Sequence, residues 1–259
     1  MGEHFEDELH QLQLSEDGSY TAYSKEYDEH YHSTKDGALS ESLYKHIIPA
    51  YRLTQEKDQL NILDICYGLG FNTLATILYY KEHAPEKKLA IYSPELDADL
   101  IKSLINFHYP KEFESMREII TALSREQKYE DEQLSIELFL GDAREYLKQF
   151  EDHFDIVYQD AFSPSSNPVL WTKEYFNDIK RAMREDGLLT TYSTALKTRL
   201  ALYENNFFIY LNEGEDFRTA TLASRKELEG YKRVDMEHKI SCNPDVKPLS
   251  DEELGVNYC

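Results

Sequence analysis

Apolar and polar positions change rhythm twice along this chain. Residues 11–14 (QLQL) and 19–23 (SYTAY) alternate on either side of Ser15-Glu16-Asp17-Gly18, which predicts a hairpin with Asp-Gly turn chemistry. From about Ala38 to Leu53 the period lengthens, and Leu39, Leu43, Ile47 and Ala50 fall on one helical face. From residue 61 short apolar runs alternate with helical stretches. NILDIC, KLAIYSPE, LSIELFLGD, FDIVYQD, GLLTTYST, NNFFIYLN and FRTATLAS read as seven strands. Helices are expected from about Asn72 to His83, from about Asp97, and along WTKEYFNDIKRAMRED. Such alternation predicts an α/β fold, a Rossmann-like and mostly parallel open sheet, with the last two strands paired antiparallel across Glu213-Gly214-Glu215. The expected organisation is an N-terminal extension of hairpin and helix (1–60) packed on a catalytic domain (61–225). A charged, helical insert (110–133) interrupts that domain, and a polar tail (226–259) follows without an assigned element.

Composition adds constraints. The chain has 259 residues, with 49 Asp+Glu against 28 Lys+Arg and a formal net charge of −21. Proteins that hold phosphate backbones usually carry a basic footprint, so the overall charge speaks against nucleic acid. The imbalance is uneven, however: residues 171–233 carry 11 Lys+Arg against 10 Asp+Glu, which leaves room for a local basic face. Cys66, Cys242 and Cys259 are too few and too far apart for a disulfide framework or a zinc site. The acidic N-terminus lacks the basic and apolar regions of a signal peptide, and no apolar run could span a bilayer. A cytoplasmic protein with no membrane association is the expectation.

Open parallel sheets bind ligands at the carboxyl ends of their strands. Four candidate contacts lie at such ends. After the first strand comes Tyr67-Gly68-Leu69-Gly70-Phe71-Asn72, a glycine turn that lets backbone approach a ligand with a helix N-terminus behind it. Thr73 stands where a dinucleotide fingerprint would have its third glycine, which argues against a pyrophosphate cofactor. Glu95 closes the second strand and can accept from two ribose hydroxyls. Asp142 follows the third; it either accepts from an adenine amino group, with the Ala143 amide serving a ring nitrogen, or simply caps a helix. Asp160 closes the fourth strand and leads into AFSPSSNP, a position that packing explains poorly. Together these ends fit a nucleoside cofactor without pyrophosphate, S-adenosylmethionine.

The segment DAFSPSSNPVLWT (160–172) resembles the characteristic loop of the methyltransferase domain of the bifunctional tRNA-modifying MnmC family. DGSYTAYSKEYDEHYHSTKDGALSES, YGLGFNTLATI, LFLGDARE and GLLTTYSTALKTRLAL agree with that family in order, so the resemblance covers roughly residues 10–225. It implies a seven-stranded methyltransferase sheet, S-adenosylmethionine as cofactor, and methylation of the primary amine of 5-aminomethyl-2-thiouridine at the tRNA wobble position. Asp160 is then the catalytic carboxylate that accepts a hydrogen bond from the amine and orients it, and also a cofactor contact. Tyr31 and His32 are expected to close over the cofactor, and Phe162, Asn167 and Trp171 to shape or wall in the base. For Trp171 a core anchor at a helix start is the competing role. Lys197, Arg199, Arg218 and Arg225 are candidate phosphate contacts. The family's flavin oxidase domain has no counterpart in this sequence, which makes a separate FAD oxidase a candidate partner beside tRNA. Glu213, Glu215 and Asp216 stand where the family carries a basic run. A spermidine-synthase-like aminopropyltransferase would use a similar sheet and turn, and a non-catalytic cofactor-binding module is the third reading.

Overall fold

The computed structural model describes residues 5, 9–215 and 217–256. Its N-terminal hairpin pairs β1 (His10–Leu14) with β2 (Tyr20–Ser24), and β3 (Glu29–His30) adds to β2 as a third strand. The amide of Gly18, at a φ of +82°, donates to Ser15 O at 3.0 Å to close the turn. The predicted 38–53 helix is present but not uniform: α-helical turns at Ala38–Glu41 and Ile48–Leu53 flank a π-helical stretch, Ser42–Ile47.

The main sheet begins with β4 (Gln59–Ile65), β5 (Lys88–Glu95), β6 (Lys128–Glu130), β7 (Leu134–Leu140) and β8 (Phe154–Gln159). It continues with β9 (Met183–Thr191), β10 (Phe208–Asn212), β11 (Ala220–Ser224) and β12 (Lys232–Arg233). The spatial order is β12-β10-β11-β9-β8-β4-β5-β7-β6. The seven predicted strands form its body; β4, β5, β7, β8 and β9 are parallel, and β11 inserts antiparallel between β9 and β10. Among the described residues two short edge strands, β6 and β12, extend it to nine, beyond the seven the pattern predicts. β6 comes from the charged insert, which is otherwise helical as expected, at Lys111–Met116 and Arg117–Glu126.

Both faces of the sheet are covered, and the period of two shows how. Leu60, Ile62, Ile156 and Tyr158 join one buried cluster with helix Phe71–His83 and the N-terminal extension. Leu63, Ile65 and Val157 face the opposite cluster, with Trp171, Tyr175 and Leu200. The helix expected through Asp186 stops earlier, spanning Lys173–Ala182. Met183 pairs with Phe154 instead, so the ladder of β9 captures the residues that local pattern assigned to a helix. The tail is part of the fold: Met236–Cys242 is a helix, and Lys173 donates its amide to Leu249 O at 2.9 Å. Among the described residues no helix is long and apolar enough to cross a membrane.

Candidate active site

Strand order reverses beside β4, whose neighbours are β5 on one side and β8 on the other. At the carboxyl ends of these strands lies a cavity of about 1040 Å³. The turn after β4 bends through alternate left-handed residues: Cys66 at a φ of +65°, Gly68 at +53° and Gly70 at +79°. A non-glycine residue rarely holds such a φ, so Cys66 stores strain at the cavity wall, a feature local sequence did not reveal. Gly68 lines the cavity, and a Cβ there would press to 3.1 Å from the Tyr31 ring. Gly70 plays another part. It caps helix Phe71–His83 and lies away from the cavity, and a Cβ there would meet the Tyr67 hydroxyl at 2.6 Å. Tyr67 and Asn72 line the cavity.

Glu95 Oε2 accepts the Gly68 amide at 2.9 Å, and Oε1 accepts the Asp97 amide at 2.9 Å. Each carboxylate oxygen keeps a lone pair, which suits a pair of ribose hydroxyls. Burial pushes the Glu95 carboxyl up despite these bonds. Asp142 caps helix Ala143–Leu147, accepting from Arg144 N at 2.7 Å and Glu145 N at 3.2 Å. It nonetheless lines the cavity with Ala143, so the cap and the cavity wall are the same residue. Tyr31 lines the cavity too, its hydroxyl 3.1 Å from His10 Nε2. His32 lies there buried, its ring edge-on to Phe71.

Asp160 sits at the tip of β8, its side chain 11% exposed. Its Oδ2 accepts from Asn72 Nδ2 at 2.8 Å, and its Oδ1 lies 3.4 Å from His46 Nε2. Burial pushes this carboxyl up, but the charge and hydrogen bond of His46, the charge of His32 and the Asn72 amide outweigh it, so it stays below its ordinary value. Asn72 therefore serves the acid at the strand tip as much as a ligand. It also reaches back to Asp64 Oδ1 at 3.3 Å, a buried carboxyl that Thr73 Oγ1 contacts at 2.8 Å. Desolvation drives Asp64 up to about 8, against the Thr73 bond and with help from the Asp160 charge.

The loop after Asp160 supplies an aromatic wall. Phe162 stacks on Tyr27 at 4.5 Å and leans on Tyr31 at 4.9 Å, and it lines the cavity with Asn167. Trp171 does not. It is 1% exposed, donates Nε1–H to Phe162 O at 2.7 Å and packs edge-on against Tyr192 and Phe176. It anchors the loop from the core, because an indole buries a large apolar area once its one donor is satisfied. Arg199 is not a phosphate contact either: it is buried, and its guanidinium donates to Thr221 Oγ1 at 3.0 and 3.1 Å. Arg225 donates to Met183 O at 3.0 Å and, like the exposed Lys197, lies outside the cavity. Arg218 stands at the cavity wall and is bound to Asp36 and Ser33. Tyr27 and Tyr192 fall within the family-like segments DGSYTAYSKEYDEHYHSTKDGALSES and GLLTTYSTALKTRLAL, and His46 lies outside them; nothing local marks which of these side chains reach the site.

The cradle fits S-adenosylmethionine: a glycine whose Cβ would close the approach, a carboxylate with paired free lone pairs, and an acid-lined cavity suited to a cation. Known proteins agree. A family described as S-adenosyl-L-methionine-dependent methyltransferase matches residues 108–226. MnmC2 from Aquifex aeolicus is 32% identical over 97% of this chain and 82% of its own, with a TM-score of 0.84. An uncharacterized protein from Methanocaldococcus jannaschii, MJ0670, is 31% identical over 95% of this chain and 64% of its own length. The tRNA 5-methylaminomethyl-2-thiouridine biosynthesis bifunctional protein MnmC of Azoarcus sp. is 28% identical over 85% of this chain, which spans 36% of that protein.

Proposed function

We propose a substrate for a chain that belongs to the family of S-adenosyl-L-methionine-dependent methyltransferases that includes Aquifex aeolicus MnmC2: the primary amine of 5-aminomethyl-2-thiouridine at the tRNA wobble position. The observation that carries this reading is the placement of Asp160. Its carboxylate faces the same cavity as the Gly68–Glu95 cradle, beside the aromatic wall of Phe162, Tyr27 and Tyr31.

The chain spans about a third of the length of the bifunctional relatives, which are named for 5-methylaminomethyl-2-thiouridine biosynthesis. The cofactor, when bound, supplies an electrophilic methyl group on a cationic sulfur. An ammonium has no lone pair, so the site must present the neutral amine. Asp160, ionised and fixed by Asn72, orients that amine through a hydrogen bond, and such positioning is worth a large share of the barrier. The aromatic wall suits a base taken out of its stack. Glu95 and Asp142 hold the nucleoside end of the cofactor. On this reading the protein works in the cytoplasm, where its tRNA is. Arg218 and Lys197 meet the backbone, and a flavin oxidase on a separate chain supplies the free amine.

The test is direct. Incubate the protein with methyl-labelled cofactor and bulk tRNA from cells lacking this gene, then digest and separate the nucleosides by mass spectrometry. Label in 5-methylaminomethyl-2-thiouridine is expected; tRNA that takes up no label would refute the reading. Formation of spermidine from putrescine and the decarboxylated cofactor would establish an aminopropyltransferase instead.

A further inference from the structure

The π-helical stretch Ser42–Ile47 of the N-terminal extension places a histidine behind the cavity wall, against the carboxylate of Asp160. π-Helical turns recur at functional positions because they re-aim side chains that a regular helix would space differently. His46 is wholly buried, with Nδ1 2.7 Å from Thr190 Oγ1 on β9 and Nε2 3.4 Å from Asp160 Oδ1. Its ring stands edge-on to Tyr158. Nε2 is fully buried and has no hydrogen-bond partner among the described residues apart from that approach to Asp160. Neutral, with its ring hydrogen on Nδ1 toward Thr190 Oγ1, His46 offers Nε2 to a proton; cationic, its Nε2–H faces Asp160 Oδ1 and holds that carboxyl ionised.

We propose that His46 is a positioning residue for amine methylation, forming with Asp160 a carboxylate–imidazole pair that takes up the proton of the substrate's ammonium form. This inference rests on the amine substrate proposed above. The ammonium N–H gives its proton to Asp160 Oδ1, and the proton passes to His46 Nε2. The freed nitrogen lone pair is then available to form the N–C bond while the S–C bond of the cofactor breaks. The product leaves as a methylammonium, and the imidazolium returns its proton to solvent on product release. No other atom or electron is required.

A carboxylate by itself is a weak base for an alkylammonium, whereas an imidazole ordinarily changes charge near neutrality. The pair also keeps Asp160 ionised while the proton is stored one residue away. Among the described residues, charged and titratable groups around the pair include His32, Asp64, Cys66, Glu41, Lys45, Tyr158 and Tyr192. Lys45 is tied to Glu41 and Asp36, so neither carboxylate of that cluster is free to replace His46 as the proton store.

His46→Asn keeps a polar side chain but cannot hold the proton. We expect its kcat/KM on amine-bearing tRNA to fall about 100-fold at neutral pH, within the range for a lost acid–base group. Activity should climb back toward wild type as rising pH deprotonates the amine in bulk water. Thr190→Val, which removes the Nδ1 partner, should show a smaller loss with the same alkaline recovery. S-Adenosylhomocysteine affinity should stay at the wild-type value in both variants. In 15N-edited spectra, the His46 imidazole should change from neutral to cationic when S-adenosylhomocysteine and the amine-bearing nucleoside are both bound. A loss by the same factor at every pH, no loss, or an imidazole that keeps its protonation state would overturn the inference while leaving the substrate reading intact. Wild-type protein inactive on this tRNA would overturn both.

Discussion

Arg144 and Asp251 connect the C-terminal tail to the loop that walls the cavity, and cutting that connection has a calculable cost. Arg144 is 2% exposed and its guanidinium donates to both Asp251 oxygens, at 2.7 and 2.6 Å. The same guanidinium reaches Val169 O at 3.3 Å and Thr172 Oγ1 at 3.4 Å, on the segment that leads out of the cavity wall. Asp251→Ala therefore removes two short charge-assisted bonds from a buried cation. Breaking a buried pair from one side costs about 3–5 kcal/mol. Asp178 Oδ2 stays 4.0 Å from the same guanidinium and the Asp251 side chain keeps 15% exposure, so the lower part of that range applies. A loss of about 3 kcal/mol corresponds to a fall in Tm of about 6–12 °C for a protein of this size.

Thermal unfolding followed by circular dichroism measures this directly. The pH dependence adds a second check. Burial pushes the Asp251 carboxyl up, but the bonds from Arg144 and Thr172 and the Arg144 charge outweigh it and leave it below 3.8. A depressed carboxyl contributes stability above its unfolded pKa and loses it as pH falls through the folded one. The gap between wild type and variant should thus be full at neutral pH and close below about pH 4. An unchanged Tm at neutral pH would refute the reasoning, as would a gap that persists undiminished in acid.

Two further outcomes follow from the cradle and from the carboxyl beneath it. Glu95→Ala removes an acceptor of charged type, worth about 1.5–3 kcal/mol, so S-adenosylhomocysteine should bind about 10–100-fold more weakly by calorimetry. Binding at wild-type strength would remove Glu95 from the cofactor site. Asp64, driven up to about 8, contributes stability that is full below its unfolded value of 3.8 and is lost as pH rises through the folded one. Against Asp64→Asn, wild-type Tm should decline steadily between about pH 4 and 8. Melting curves that stay parallel across that series would show that the carboxyl is not protonated in the fold.

Periodicity and strand-end chemistry were enough to place much of this protein. The seven strands of the sheet body, the glycine turn, Glu95, Asp142 and Asp160 are properties of contiguous segments. An apolar run of strand length, a glycine pair and an acid at the run's end are all written within a few residues of one another. What local sequence could not decide is where a side chain goes once its segment is packed. Trp171 and Arg199 carry the chemistry of ligand contacts, but their neighbours bury them: Trp171 against Tyr192, Arg199 against Thr221. Gly70 looked equivalent to Gly68, yet the first holds off the Tyr67 ring and the second opens the cavity. The helix end at Ala182 was decided by the partner strand, since a ladder with Phe154 outweighed local helical pattern. His46 reaches Asp160 across 114 positions of sequence, through a π-helical turn that no hydrophobic pattern encodes. Sequence determined which strand ends carry acid; only tertiary structure decided which of them face one cavity, because that depends on contacts between segments far apart in the chain.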